Sequence, residues 1–314
     1  MDERQYTSFC LPPYAEESRL DKTLAALFPA HPRAVWRAAI ERGAARVDGE
    51  TVVRPARSVP RGCEIALDLS ALPAPREERC AAEDLPLEIV YEDDEMLVIN
   101  KAAGMVVHPG RGNSGGTLQS ALLFRCPSAA VLPRAGIVHR LDKNTTGLLA
   151  AAKTAAARQS LAAQFQSRTA RREYLAIVHG APDATGLIDR PLAPCKPGKM
   201  AVRRGGKEAI TRFSVLRRWR GFSLLRCRLE TGRTHQIRAH LEYAGHPVAG
   251  DPDYRRRARP LPFAMTRQAL HAETLILSHP TDGEMREWNA PPPDDMQTAM
   301  RILDETDARA AADE

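Results

Sequence analysis

Leu20, Leu24, Leu27 and Phe28 recur at helical spacing and the run stops at Pro29, which predicts a short amphipathic helix. A second helix is predicted over 33–42, presenting Val35, Ala39 and Ile40 and ending at Gly43. ARVDGETVV then reads as two short strands about an Asp48-Gly49 hairpin turn, with EIALDL closing a small sheet. Residues 69–84 (LSALPAPREERCAAED) are rich in Pro, Ala and charge and read as a linker. From Leu85 the pattern changes: LEIVYEDDEMLVINKAAGMVVHPG predicts two strands around an acidic turn and then a third strand. TLQSALLF and 153–168, with Leu161 and Phe165 at i, i+4, are helical. Strands are predicted over 173–179, 209–215 and 222–230. In the last, Leu225, Cys227 and Leu229 oppose Arg226, Arg228 and Glu230. A further helix carries Ile237, Leu241 and Ala244 on one face and stops at Gly245.

Strands and helices without regular βαβ alternation argue for an α+β fold with a mixed, mostly antiparallel sheet. The predicted organisation is an N-terminal extension (1–17), a small module (18–68), the linker (69–84), a larger domain (85–293), and a terminal helix fraying into an acidic tail (294–314).

Composition narrows the function classes. No run approaches the roughly 20 apolar residues of a membrane span, and MDERQYTSFC lacks the basic and then apolar pattern of a secretory signal, so a cytoplasmic protein is expected. The six cysteines are scattered with no C-x-x-C pair and read as free thiols. The net charge of +6 is unevenly placed: RTARR (168–172), KPGKMAVRRGGK (196–207), RRWR (217–220) and RRRAR (255–259) are basic, while acids gather at 83–95 and after Asp294. That segregation suits a polyanionic partner. Aromatics at 5% do not suggest a strip of base-stacking rings.

One loop holds the most specific chemistry. GIVHRLDKNTTGLL (136–149) sets Asp142 between Arg140 and Lys143, flanked by Ile137-Val138 and Leu148-Leu149-Ala150. A carboxylate between cations suits a nucleophile better than a proton donor. Taken alone, the same residues also read as a surface ion pair. Residues 110–115 satisfy G-x-G-x-x-G between a strand and a helix, but AVLPRAG stands where a dinucleotide fold needs an acid, which disfavours a nicotinamide-dependent enzyme. His235 and His240, five apart, do not share a helix face. These and the histidines at 108, 139, 271 and 279 read as hydrogen-bonded structural residues rather than metal ligands, so no metal is expected. No G-x-S-x-G or Walker loop is present.

HRLDKNTTGL resembles the catalytic loop of the RluA family of pseudouridine synthases, and further motifs follow in that family's order over about 18–292: RREYLAIV, GRTHQIRAHL and RQALHA…HP. The resemblance implies a cofactor-free isomerase that detaches uracil from ribose C1′, rotates it and rejoins it through C5. Asp142 matches the essential carboxylate. Tyr174 matches the tyrosine that packs against the flipped base and acts in, or relays, C5 deprotonation. Arg238 matches the arginine paired with the carboxylate, with Arg233 second in rank. By the same resemblance Arg140 helps displace the target nucleotide, while Leu141 and Ile237 wall the base pocket. The module at 18–68 resembles an S4 RNA-binding domain, with Arg19, Arg33, Arg37 and Arg42 as phosphate contacts, although V-D-G and Gly62-Cys63 replace the usual V-N-G and G-D. Other departures are Ala102 for the proline of N-K-P-A-G, and arginines after Tyr254 where the family has G-D-x-x-Y-G-G. The implied partner is RNA, first of all large-subunit ribosomal RNA, with transfer RNA second, acted on by a monomer away from membranes. The alternative from another class is a catalytically silent RNA-binding or ribosome-assembly factor on the same fold.

Overall fold

The computed structural model describes residues 6–11, 18–28, 31, 33–72, 80–110 and 115–312. The chain divides between Arg79 and Cys80 into two compact units.

In the first unit, β1 (Tyr6–Cys10) pairs antiparallel with β6 (Glu64–Asp68), which also pairs β3 (Ala45–Val47). β3 in turn forms a hairpin with β4 (Glu50–Val52). The hairpin turns at Asp48 and Gly49, both with positive φ (49° and 80°), the conformation that Asp-Gly accepts in a two-residue loop. A two-residue ladder, β2 (Ser18–Arg19) with β5 (Ser58–Val59), leads into α1 (Leu20–Leu27). α1 and α2 (Arg33–Glu41) pack Leu20, Leu24, Trp36 and Ile40 with Val47, Ile65 and Leu67 into one apolar core. Residues 6–10, expected to be an extension, are therefore part of this sheet. Residues 12–17 and 73–79 of the expected extension and linker lie outside the described residues, as do 111–114 of the G-x-G-x-x-G segment and 313–314 of the tail.

The second unit is built on a nine-stranded sheet in the order β11-β14-β15-β10-β16-β9-β8-β7. The strands are β7 (Glu88–Glu92), β8 (Met96–Lys101), β9 (Thr146–Ala152), β10 (Arg171–His179), β11 (Thr185–Asp189), β14 (Ile210–Trp219), β15 (Phe222–Leu229) and β16 (Leu270–Ser278), with β17 (Met285–Asn289) also pairing β16. β12 (Leu192–Lys196) and β13 (Lys199–Val202) form a separate hairpin. The helices are α3 (Leu118–Arg125), α4 (Ala155–Gln166), α5 (Gln236–Tyr243) and α6 (Asp294–Ala312). Every pairing in the large sheet is antiparallel except that of β16 with β9. At that crossing Gly147 sits at φ 110°, where a Cβ would lie 2.3 Å from the Ala272 carbonyl oxygen, so only glycine lets the two backbones meet.

Three further expectations change. Val106 makes only an isolated bridge to Thr117 instead of a third strand, as Gly104 and Pro109 leave too little regular chain between them. Cys80–Asp84, expected as linker, belongs to the second unit, where the Glu83 backbone N–H donates to the Ser120 carbonyl and its carboxylate accepts from Gly116 N–H. α6 does not fray through the acidic segment. Met296, Ala299 and Leu303 enter the core, while Asp304 accepts from Trp219 Nε1 (2.6 Å) and Asp307 from Arg220 N (2.9 Å).

The acidic turn between β7 and β8 is organised by Asp93, which accepts from the Glu95 and Met96 amides, the Tyr91 hydroxyl and His279 Nε2. Burial pushes the Asp93 pKa up, but those donors outweigh it and hold it at about 2. The stabilisation is present above the unfolded value of 3.8 and is lost as the pH falls toward 2. Asp93→Asn is expected to lower unfolding free energy at neutral pH by about 2 kcal/mol and to flatten its decline over that acid window. Urea titrations at stepped pH measure both.

Candidate active site

Asp142 sits in a short loop that enters β9, and several backbone groups behind it are fixed. The Lys143 carbonyl accepts from Lys101 Nζ (3.0 Å) and Gly104 N (3.0 Å), and the Asn144 carbonyl from Arg267 Nη1 (3.1 Å). Thr145 N donates to the Asp142 carbonyl, and Thr145 Oγ1 accepts from Gln268 Nε2 (3.1 Å). Thr146 donates to His271 Nδ1 (2.9 Å), whose Nε2–H is committed to the Ala290 carbonyl (3.0 Å). Lys101 is buried, and its ammonium also donates to the Ala102 and Met105 carbonyls, matching three donors to three acceptors. Burial pulls its pKa down to about 7 against the attraction of Asp142.

The loop opens into a cavity of about 330 Å³ lined by Arg140, Leu141, Asp142, Tyr174, Arg233, His235, Ile237 and Arg238 among others. That volume lies at the small end of ligand pockets, about 300–1,000 Å³, and suits one nucleotide rather than a duplex. Arg238, on α5 and 96 residues from Asp142 in sequence, donates from Nη1 to Asp142 Oδ2 (3.2 Å). It is itself clamped. Asp251 accepts from Nε (2.7 Å) and Nη2 (2.8 Å), and Asp253 accepts from Nη2 (2.8 Å). Burial works against the guanidinium, but these carboxylates outweigh it and raise its pKa further above the ordinary arginine value.

Tyr174, on β10, is buried in the cavity wall, and burial raises the pKa of its phenol. Among the described residues its hydroxyl makes no hydrogen bond. Leu141 and Ile237 are buried apolar parts of the same wall. Arg140 is exposed at the cavity. Arg233 is exposed too, and its Nε donates to the Glu208 carbonyl (3.0 Å) rather than to Asp142. The four N-terminal arginines belong to the first unit. Arg19 and Arg33 both pair with the buried carboxylate of Asp21, Arg37 lies 3.9 Å from Glu41, and Arg42 donates to the Ala71 carbonyl.

Most histidines are structural as expected. His139 Nε2 accepts from Ala150 N, and burial lowers its pKa to about 3, so it is neutral. His240 bridges Thr211 and the Arg190 carbonyl. His235 Nδ1 lies 3.1 Å from the Tyr254 hydroxyl, and its ring also lines the cavity with Nε2 4.0 Å from Asp142 Oδ1. Sequence reasoning missed Asp251, Asp253 and Lys101. The only signal for them was their place inside or beside runs already singled out. Among the described residues no group of His, Cys, Asp and Glu could hold a metal ion, and no helix is long and apolar enough to cross a membrane.

The site offers a carboxylate held by a fixed cation at the wall of a cavity of about 330 Å³. The profile of the RNA pseudouridylate synthase family matches residues 95–243. The chain is 46% identical over 297 residues to ribosomal large subunit pseudouridine synthase D of Pasteurella multocida, covering 91% of each chain. It is 45% identical over 314 residues to the protein of that name from Xanthomonas campestris, covering 96% and 93%. Among solved structures it resembles human RNA Pseudouridylate Synthase Domain Containing 1, at 29% identity and a TM-score of 0.53 over 68% of this chain and 86% of that one. The chain belongs to the RluA family of RNA pseudouridine synthases.

Because Asp251 holds two of the three guanidinium nitrogens, Asp251→Asn is expected to release Arg238 from Asp142. Turnover should fall about 100-fold or more, while RNA affinity changes little. Single-turnover kinetics beside filter binding separate the two effects.

Proposed function

We propose that this protein isomerises specific uridines of large-subunit ribosomal RNA in the cytoplasm, acting as a monomer on a base flipped into the cavity, with Asp142 as the essential carboxylate. The observation that carries the reading is the Asp142–Arg238 pair in a cavity walled by Tyr174. The glycosidic carbon is inaccessible within a stacked strand, so the target must leave the stack. A bidentately clamped guanidinium orients the carboxylate toward C1′ at no reorganisation cost during the reaction. Leu141 and Ile237 supply apolar walls, the Tyr174 ring packs on the uracil, and Arg140 and Arg233 at the rim suit the neighbouring phosphates or the vacated place in the stack. The relatives named above are ribosomal large subunit enzymes, which supports that substrate over transfer RNA. The chemistry is an isomerisation and calls for no cofactor.

The first unit serves in this reading as an S4-like RNA-binding module. Arg37 and Arg42 are exposed cations of that unit. Arg19 and Arg33 share Asp21 yet remain partly exposed, held by a buried carboxylate that fixes their direction. Replacing Arg37 or Arg42 by Ala is expected to weaken RNA binding and reduce the salt slope by about one per lost phosphate contact. Binding isotherms across a salt series measure the slope.

The central test is tritium release from ribosomal RNA labelled at uridine C5. Wild type should release tritium, and Asp142→Ala should fall to background while still binding RNA. Equal release by both proteins would remove Asp142 from the chemistry. Binding without release by wild type, on naked RNA, assembled subunits and transfer RNA alike, would favour the silent RNA-binding factor.

A further inference from the structure

Five arginines line the cavity, and they differ in depth and company. Arg134, Arg140 and Arg233 are exposed, and Arg238 is committed to three carboxylates. Arg172 is neither. It stands on β10 two residues before Tyr174, so the two side chains leave the same face of the strand and both line the cavity. Only 9% of it is exposed. Among the described residues its guanidinium makes no ion pair and no hydrogen bond, and its Nε is fully enclosed without a partner. An enclosed cation with no counter-charge is costly to a fold.

Its surroundings hold the guanidinium in place without using its donors. Arg172 Cζ lies 5.3 Å from the centre of the Phe165 ring on α4, which attracts a cation but occupies none of its N–H groups. Phe165 is stacked in turn on His139, with 4.3 Å between ring centres, and that neutral imidazole adds no charge to the wall. Next to Nη1 stands Gly232, where a Cβ would lie 2.7 Å from the nitrogen and push the guanidinium aside. Arg172 and Asp142 are the two charges that bear on the buried Tyr174 phenol, so a base packed on that ring lies in the field of both.

We propose that Arg172 stabilises, through a hydrogen bond to a carbonyl oxygen of the base, the negative charge that uracil carries once its bond to C1′ is broken. The inference rests on the isomerase reading above. When the C1′–N1 bond breaks, its electron pair stays on the base and spreads over N1, O2 and O4, whether Asp142 bonds to C1′ or removes a proton from C2′. A guanidinium binds the anion more strongly than neutral uracil, so the contact favours the cleaved state over the bound substrate. The charge disappears when C5 bonds to C1′, with displacement of the Asp142 oxygen or return of the C2′ proton. C5 then loses its proton as N1 gains one. The other anionic group that RNA brings is phosphate. The phosphates of a flipped nucleotide stay with the backbone at the rim, where Arg140 and Arg233 are exposed.

The test follows single turnovers of wild type, Arg172→Met, Arg172→Lys and Gly232→Ala on ribosomal RNA carrying uridine or 5-fluorouridine. Loss of the target nucleoside after nuclease digestion is scored, beside RNA binding across a salt series. Fluorine withdraws charge from the ring and makes the base a better leaving group, so its departure depends less on an external cation. Arg172→Met should lose about 100-fold or more on uridine and a smaller factor on 5-fluorouridine. Arg172→Lys should keep part of the rate because the charge remains. Gly232→Ala, which displaces the guanidinium without removing it, should show the same 5-fluorouridine pattern in weaker form, and it carries the comparison if Arg172→Met does not fold. RNA affinity and its salt slope should match wild type in all three variants. Equal losses on both substrates, or full activity of Arg172→Met, would overturn the proposal. Weaker binding with a salt slope reduced by about one would overturn it too, by assigning Arg172 to a phosphate. Failure of wild type to release C5 tritium would instead overturn the isomerase reading itself.

Discussion

Everything at the site depends on how the backbone from Lys143 to Gly147 is held. A loop carrying a reactive carboxylate into a sheet exposes carbonyls that no strand partner reaches, and buried carbonyls left unpaired are costly. Here two cations from distant segments answer them: Lys101, at the end of β8, and Arg267, just ahead of β16. Each has donors in excess of a neutral side chain, so one residue closes several acceptors at once. Arg267 is anchored in turn by both oxygens of Asp295 at the start of α6. The terminal helix thereby takes part in fixing the loop.

The second constraint is the chain of carboxylates around Arg238. An arginine buried beside one aspartate has several N–H groups to satisfy, and Asp142 can take only one or two. Asp251 and Asp253 take three more, so the guanidinium is oriented before any substrate arrives. Asp251 also accepts from the amides of Asp253 and Tyr254, which ties the arginine clamp to the turn that carries the Tyr254 hydroxyl. One turn thus positions both neighbours of Asp142, the cation on one side and the imidazole on the other.

Local sequence signals were read well where the determinants are local. The helices of the first unit, the Asp48-Gly49 hairpin and the acidic turn at Asp93 follow from short-range patterns that fix backbone dihedrals directly. β1 escaped because YTSFC is short and half exposed, and its partner β6 lies more than fifty residues away. β12 and β13 escaped for a related reason: apart from Leu192 their hairpin buries no residue fully, so no apolar alternation marks it. The place of His235 at the cavity is not visible in helix-face spacing, because this residue precedes α5 with a positive φ.

By itself the sequence determined the α+β character, the division into a small basic module and a larger domain, and the loop that bears Asp142, since composition, periodicity and motif are properties of contiguous residues. Only the tertiary structure decided which cation meets that carboxylate, what holds the cation, and which nitrogen of His235 faces the cavity. Those outcomes depend on the parallel crossing of β9 with β16 and on hydrogen-bond partners drawn from separate stretches of chain. Distances of that kind are set by packing and register over the whole domain, and no local pattern encodes them.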